Sequence, residues 1–473
     1  MWYPNRVWNL KPERNFPVPC LKDIIASREA DSQPLMEAVQ RAPSLAGIIL
    51  AAWQLARWVA VWVVEAVLEE RAQQPTAWST CPHCGARLQS KGFVARQLTT
   101  LVGVVRWRRR VGRCPQGCTL GPQVAPLDEA LGVTPHQQTG TELQRVGCAL
   151  AVFVPFETAA LLLGMLCGVP VSPEAIWYWV QAVGQRAMEA LQRELENLEK
   201  GILPEEEPLD AQTAALPLLI GADGVMVPFR PQAGTPRGKT IWREIKVGIL
   251  ARLGRRTTPA GQTEPRVERR RMVAVLGGVA ALSPRLWWEA VRQGILHAPV
   301  GAWLSDGGPG LWGVFQARFA PYARGILDFY HAAQNLWKGA AAWLDGRTKR
   351  ARQWFVTARH RLRHGGLEGV LADMAAAQAL PGLPASARAT LTNLYQYLDT
   401  HRDHLDYERF HALGLPLGSG LVESACKWLI QQRFKGVGMR WSEDGFNHLL
   451  HLRLAWVNGR FDTLFPLEAS PNS

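Results

Sequence analysis

The sequence predicts a multidomain chain that joins an α/β part to several all-helical parts. Three observations predict it. Between residues 216 and 332, short apolar runs of strand character alternate with stretches of helical period. Two close pairs of cysteines bracket a basic, β-rich segment near residue 100. Apolar residues at helical spacing fill most of 36–74, 141–200 and 333–405. The chain has 473 residues, room for about three or four domains. A hydrophobic content of 47% supplies real cores and argues against global disorder.

The first domain, 1–77, opens on a Pro-rich, mixed stretch and continues as a helical region. Its segment from Leu45 to Leu68 resembles a membrane span, but Gln54 and Arg57 interrupt it near the centre. An arginine there costs roughly 2.5–3.5 kcal/mol on insertion scales. A buried or dimer-forming helix is therefore expected, with Trp53, Trp58 and Trp62 as packing residues.

Residues 78–130 form the cysteine module. Cys81 and Cys84 in CPHC, with Cys114 and Cys118 in CPQGC, have the spacing of a four-thiolate zinc ribbon holding a structural Zn²⁺. Metal binding of about 10–16 kcal/mol is enough to fold so small a module. Cys20, Cys148, Cys167 and Cys426 are scattered, which is not a secreted disulfide framework. Alternation puts Arg106, Arg108 and Arg110 on one strand face with Trp107 opposite. That face fits DNA phosphates, and equally a solvated strand edge guarded by charge.

Residues 135–200 read as helix, turn, helix, broken at Gly168 and Pro170, with Ser172 capping the second helix and Pro173 at its first position. A DNA-reading helix-turn-helix and a packed helical hairpin fit alike, because Ile176, Trp177 and Trp179 are apolar. The acidic stretch 201–215 reads as a linker that repels itself and cannot bury much.

From 216 to 332 the order is three adjacent strands, a helix, a strand, a helix and a strand. Ser283 is expected to cap the first of these helices, just before Pro284. A meander followed by crossover units is the order of an RNase H-like sheet. The helical stretch 333–405 then reads as an insertion, and 406–473 as the C-terminal part of the core. Arg350, Arg352 and Arg359 crowd one helix of the insertion, and a DNA backbone or plain solvent can take up that charge. His401 and His404, at i,i+3, read as solvated helix histidines before a metal pair.

Three acids carry the chemistry. Asp223 in LLIGADGVMV and Asp306 in GAWLSDGGPG each end a strand, and Glu423 in GSGLVESACK begins a helix. Clustered carboxylates repel unless a cation holds them, so such a trio suits Mg²⁺ or Mn²⁺. Two such ions about 3.5–4 Å apart activate the attacking oxygen and stabilise the leaving one in phosphodiester cleavage. Asp-Gly pairs are also turn signals, and Glu423 can merely pair with Lys427. Asp328, with His331 three residues on, is a rival carboxylate or a supporting one behind the metal ligands. Arg433, Lys435 and Arg440 follow Glu423 closely and fit a phosphate grip. A net charge of +13 suits a polyanionic partner, with DNA first and a membrane surface not expected.

At these residues the chain resembles bacterial insertion-sequence DDE transposases of the ISKra family. The likeness rests on CPHCGARLQSKG, ADGVMVP, WREIKVG, LSDGGPGLW, ILDFYHAAQNLW and GLPLGSGLVESACKWLIQQRFKGVGMRWS, and runs from about 78 to 460. The resemblance implies that Asp223, Asp306 and Glu423 are the catalytic trio. It further implies metal-dependent DNA cleavage and strand transfer at element terminal repeats and target DNA. Pairing two ends implies a homodimer or larger assembly on DNA. The opening residues contain no apolar core of a signal peptide, so a cytoplasmic, nucleoid-associated bacterial protein is expected. The alternatives are an RNase H-like nuclease or resolvase without strand transfer, and a non-catalytic zinc-ribbon DNA-binding protein.

Overall fold

The computed structural model describes residues 29–120, 124–231, 239–259, 261 and 263–465. Cys20 and the Pro-rich opening stretch lie outside the described residues. The chain forms two compact units, one of Met1–Leu150, Phe156–Ile176 and Phe465–Ser473, the other of Ala151–Pro155 and Trp177–Leu464.

The first unit begins with helices α1 (Glu29–Arg41) and α2 (Leu45–Gln73). Ser44 caps α2 by accepting from the Gly47 amide at 3.1 Å. Strands β1 (Gln89–Thr100) and β2 (Gly103–Arg113) form an antiparallel hairpin. Leu98, Val105 and Trp107 on its inner face pack with Val61 and Leu68 of α2. Arg109 also lies on the inner face, where Asp128 of α3 (Pro126–Ala130) meets it at 2.9 Å. Arg106 and Arg108 point outward from the other face, with Arg110 half-buried beside them.

The expectation that α2 is buried is not met within this unit: its C-terminal half is half-covered, with Ala72 alone buried, and its first half is largely exposed. Leu45, Ile49, Leu50 and Trp53 are all more than half exposed within this unit. The hairpin is what covers the other half, and it does not reach the first turns. Alone in the described residues, α2 is long and apolar enough to cross a membrane by length and composition. Helices α4 (Thr141–Phe153), α5 (Phe156–Cys167) and α6 (Pro173–Glu199) follow. The Ser172 hydroxyl accepts from the Ala175 amide at 3.2 Å, as its sequence position predicts.

The short helix α7 (Ala211–Ala214) leads into the second unit's five-stranded mixed sheet, built on β3 (Leu218–Phe229). With β4 (Ile241–Thr257) and β5 (Thr263–Leu276) it forms an antiparallel meander. The strands β6 (Gly301–Ser305) and β7 (Arg324–Leu327) add in parallel on its other side. The spatial order is β5-β4-β3-β6-β7. Between them lie α8 (Val279–Arg292) and α9 (Pro309–Val314), the latter continuing as a π turn over Phe315–Phe319. Leu286 of α8 sits where a Cβ on Gly248 would be, 2.7 Å away, so a glycine there lets helix and sheet close up.

Helix α8 corrects one expectation: Gly278 stands at its N-cap and Pro284 lies inside it, so Ser283 is not the cap. Leu282, Leu286 and Ala290 make one buried stripe on it. Burying that stripe draws the first turn upstream, and Pro284 only removes one bond to the Ala280 carbonyl.

The helical stretch expected at 333–405 is α10 (Phe329–Leu344), α11 (Lys349–Arg363), α12 (Leu367–Gln378) and α13 (Ala385–Thr400). Burial of Ala351, Ala358 and Leu362 offsets the charge crowding on α11. After α14 (Tyr407–Ala412) comes α15 (Gly420–Ala425), a π turn over Cys426–Gln431, α16 (Gln432–Phe434) and α17 (Glu443–Val457).

One acid of the stretch before β3 departs from its expectation, while Glu205, Glu206 and most of 201–215 are exposed as expected. Glu207 is nearly buried, its side chain 11% exposed, and pairs with Arg269, Arg271, Arg292 and Arg460. Glu289 shares Arg460 at 2.7 Å. Burial pushes the Glu207 carboxyl up, and the Arg460 and Arg271 guanidiniums outweigh that and hold it well below the usual carboxylate range. An acid run cannot bury itself, but for Glu207 the counter-charges come from β5, α8 and Arg460 beyond α17.

Candidate active site and candidate metal centre

The sheet register brings three aspartates level. Gly221 on β3 pairs with Leu304 on β6, and Ser305 on β6 pairs with Leu327 on β7. Carried on, the same register sets Asp223 beside Asp306 and Asp306 beside Asp328. Asp306 and Asp328 directly follow β6 and β7, whereas Asp223 does not end its strand as the sequence predicts: β3 runs on to Phe229 because β4 goes on pairing with it, and only its ladder with β6 stops, at Gly221. In α/β sheets the carboxyl edge of the parallel strands is where ligands bind.

Each aspartate is held differently. Asp223 Oδ1 accepts from the Gly224 amide at 2.6 Å. Burial pushes its carboxyl up, the charge of Asp306 adds to that, and Lys246 opposes it. Asp306 Oδ1 accepts from the Gly308 amide at 3.1 Å, and its backbone carbonyl accepts from Trp312 Nε1 at 2.7 Å. The ring of Tyr397 from α13 comes so close to Gly307 that a Cβ would sit 2.0 Å from Cε2. Only glycine leaves room for it. Burial, with Asp306 and Asp328 nearby, drives the Tyr397 phenol up to about 12.

Asp328 is buried and fully engaged. Its Oδ1 caps α10 by accepting from the Tyr330 and His331 amides at 2.6 and 2.9 Å. Its Oδ2 accepts from the Ser419 amide at 2.6 Å. These bonds, with His331 3.4 Å away, overcome burial and hold its carboxyl down at about 2. Asp328 therefore ties the end of β7 to the residue that precedes α15. His331 is raised in turn, first by Asp328 and further by Asp306 and Asp223.

Glu423 is exposed on α15. Its Oε1 lies 3.4 Å from the Ser419 hydroxyl. The helix is seated by its neighbour Val422, whose Cγ2 lies 2.4 Å from where a Cβ on Gly221 would be. Gly221 and Asp223 are two apart on β3 and share a face. So α15 packs on the side of the sheet toward which Asp223 points. Cys426 lies within reach of both acids: burial pushes its thiol up to about 12, with Asp223 and Glu423 adding to the shift. A thiol so placed stays protonated and is no nucleophile.

The oxygens of Asp223, Asp306 and Glu423 are spread more widely than one ion's ligands. Among the described residues, the group of three or more metal-binding side chains with all ligand atoms within 4.8 Å is Cys81, Cys84, Cys114 and Cys118. A tetrahedral Zn–S₄ centre with bonds of ~2.3 Å has its sulfurs about 3.8 Å apart. Here Cys84 and Cys114 Sγ are 3.5 Å apart, and none of the four is in a disulfide. Gly85 and Gly117, with φ of 73° and 77°, turn the two knuckles back on themselves. The quartet can hold a structural metal such as zinc.

No protein-family model and no curated protein matches this chain. Among solved structures it is similar to a chain titled Drosophila P element transposase strand transfer complex. The two are 9% identical, and the match covers 70% of this chain and 94% of that one at a TM-score of 0.31.

The cationic residues sort by burial. Arg350, Arg352 and Arg359 are exposed on α11, and Lys435 and Arg440 are exposed after α16. In the hairpin, Arg108 and Arg110 lie over the Phe93 ring at 5.6 and 5.0 Å. Arg433 is the correction. It is 2% exposed, donates from Nε to the Ala151 carbonyl at 2.9 Å and stacks on Trp441 at 5.3 Å. It cannot grip a phosphate, because its guanidinium serves backbone carbonyls inside the fold. His401 and His404 are not solvated either. They pack around Trp312, with the His404 ring 4.3 Å from it, and burial lowers both.

Sequence reasoning missed Lys246, Tyr397 and Ser419 as neighbours of the acids. Lys246 lies opposite Gly224 across the β3–β4 pair, which only the register reveals. Tyr397 arrives from a helix of the insertion. Ser419 is one residue outside the helix that its amide helps to position.

Proposed function

We propose that the chain is a DDE transposase that binds insertion-sequence ends, cleaves DNA and joins it to a target. The observation that carries this is the register: Asp223, within β3, stands level with Asp306 at the end of the adjacent parallel strand β6, and α15, bearing Glu423, packs over Gly221 on the face of Asp223. Strand order β5-β4-β3-β6-β7, a meander followed by two parallel additions, fits an RNase H-like core. The resemblance to the ISKra family assigns these same three acids.

The residues fit Mg²⁺ or Mn²⁺. All three offer hard oxygen ligands, and Asp223, raised by burial and by Asp306, gains from a nearby cation. Oxygens serving two ions span about 8 Å, from two ~2.1 Å bonds and a ~4 Å separation, so one-ion clustering is not required. Such ions supply charge relief on the attacking and leaving oxygens. The chain's own part is to hold the acids: Asp328 and Ser419 fix α15, and Tyr397 and Trp312 fix the loop of Asp306. The zinc-held hairpin with Arg106, Arg108 and Arg110, and the helix with Arg350, Arg352 and Arg359, would take DNA phosphates, as would Lys435 and Arg440. Two protomers would pair two element ends.

The test uses duplexes carrying the flanking inverted repeats, with Mg²⁺. Asp223→Asn is expected to bind the ends and not nick them, while the parent nicks them and joins pre-cut ends to a plasmid. Metal-dependent nicking by Asp223→Asn refutes the assignment, and nicking without joining by the parent restricts it to a nuclease.

A further inference from the structure

Beyond β6, the β3–β4 pair runs on as a ribbon with two unlike faces. Val225, Val227 and Phe229 point to the side that carries Asp223, and all are buried. The other side is open in part, at Met226 and Trp242, while Pro228 is buried. There Met226 is 43% and Trp242 53% exposed, with Trp242 opposite Pro228 and Lys246 opposite Gly224. A second element borders this open side. Trp441 bridges the free edge of β3, its amide donating to the Pro228 carbonyl at 3.2 Å and its carbonyl accepting from Arg230 at 2.9 Å. The preceding loop therefore stands beside the ribbon. It carries Val437, fully exposed between two glycines, and Lys435, whose Nζ lies 5.5 Å over the Trp242 ring. Among the described residues no carboxylate pairs with Lys435 or Arg440, while Lys246 is paired with Glu244 at 2.8 Å.

An exposed indole with an unpaired ammonium above it is a poor way to leave a surface in water. It is complementary to one kind of partner, a flat apolar ring joined to an anion. We propose that Trp242, with Met226 and Val437, is a stacking platform for an unpaired nucleobase, and that Lys435 takes the adjoining phosphate. The inference rests on the DNA reading above and deepens it. The platform lies about five residues along the ribbon from the level of Asp223, roughly 15 Å, and on the opposite face. A duplex seated over the carboxylates keeps its bases stacked on the other side. A nucleotide that reaches Trp242 has left the helix around the free edge of β3, so the site discriminates for single strands.

The experiment uses the full-length chain bearing Asp223→Asn, without added divalent metal. Its probes are a 12-nucleotide single strand with one 2-aminopurine and the blunt duplex of the same sequence. Probe fluorescence is read because the chain's 20 tryptophans would mask the response of one. Trp242→Ala is expected to weaken single-strand binding about tenfold and abolish the 2-aminopurine quench, leaving duplex binding within about twofold. Trp242→Phe restores most of both. Lys435→Gln lowers the single-strand salt slope by about 0.7. Unchanged single-strand affinity in Trp242→Ala overturns the proposal, as do equal losses for single strand and duplex or a parent that ignores single strands. Nicking by otherwise parental chains separates the two claims. Loss of the platform effect with Asp223-dependent nicking intact sinks only the platform, and the converse sinks only the catalytic reading.

Discussion

Gly221→Ala tests how the third acid is aimed. A Cβ there would stand 2.4 Å from Val422 Cγ2, 3.3 Å from the Leu304 carbonyl and 3.7 Å from Ile249 Cγ2. Carbon atoms rest about 3.5–4.0 Å apart, so Val422 must retreat by more than about 1 Å. Overpacking of this kind costs about 1–3 kcal/mol in stability. The larger effect is expected on catalysis, because Glu423 is the next residue on α15 and moves with Val422. A misplacement of about 1 Å costs on the order of 100-fold in rate. The Leu304 carbonyl must also give by a few tenths of an ångström, a smaller shift than that of Val422, while Ile249 stays at ordinary contact distance. The assay is Mg²⁺-dependent nicking alongside thermal unfolding, for Gly221→Ala, Val422→Ala and the double variant. The double variant removes the clashing methyl and should regain at least tenfold of the lost rate. Parental nicking by Gly221→Ala, or a double variant no better than the single, would refute the argument that Val422 seats Glu423.

Three further outcomes follow from other parts of the fold. Glu207→Gln leaves four arginines facing a neutral amide and should cost about 3–5 kcal/mol, read from the urea midpoint of unfolding; a change under about 1 kcal/mol would mean that water already screens the nest. Cys81→Ser should abolish stoichiometric zinc in native mass spectra and the amide-exchange protection of β1 and β2, and protection that survives metal removal would show the hairpin core to be sufficient. Burial lowers His401, His404, His448 and His451, the last to about 4. The unfolded chain takes up those protons from about pH 6.5 downward and the fold does not, so stability should fall as pH drops from about 6.5 toward 4, by at most about 1.4 kcal/mol per unit for each histidine. His331, raised by Asp328, works the other way, since its contribution is present below about pH 6.5 and fades as pH rises through its folded value. A double His401→Phe, His404→Phe variant with an unaltered acid slope would assign the slope elsewhere.

The features legible in the sequence are those fixed by short-range pattern. The apolar runs within the strands of the sheet give their chain order, but the charged first part of β5, Thr263–Arg271, carries no such signal. The cysteine knuckles were readable because metal geometry demands their spacing. The alternation of Arg106, Arg108 and Arg110 against Trp107 is a property of any strand. What could not be read depends on partners far along the chain. Glu207 lies among acids that look solvated, and its arginines come from β5, α8 and the residues after α17. Arg433 looks like a surface cation beside a glycine-bearing loop, and Arg453 like one on a helix. Both are buried because their guanidiniums cap carbonyls, Arg453 those of Leu429 at 2.7 Å and Val152 at 2.6 Å. Ser283 had good capping chemistry, and the buried stripe of α8 outweighed it. The exposed start of α2 has the composition of a core helix, and composition does not say which half meets the hairpin.

The widened turns have a consequence for chain length. One follows the loop of Asp306, over Phe315–Phe319, and another follows Glu423, over Cys426–Gln431. A π turn accommodates about one residue more than an α turn over the same rise. Phe434 is anchored between Trp441 and Phe446, so the phase of the helical segment is set from that end. Deleting one residue from 426–431 would let the segment relax to an ordinary helix over about the same rise, so Glu423 would keep its aim, whereas a further residue with no second wide turn to absorb it would swing the acid by about 100°. The wide turn thus acts as a slack link, one residue deep, between that acid and its aromatic anchor.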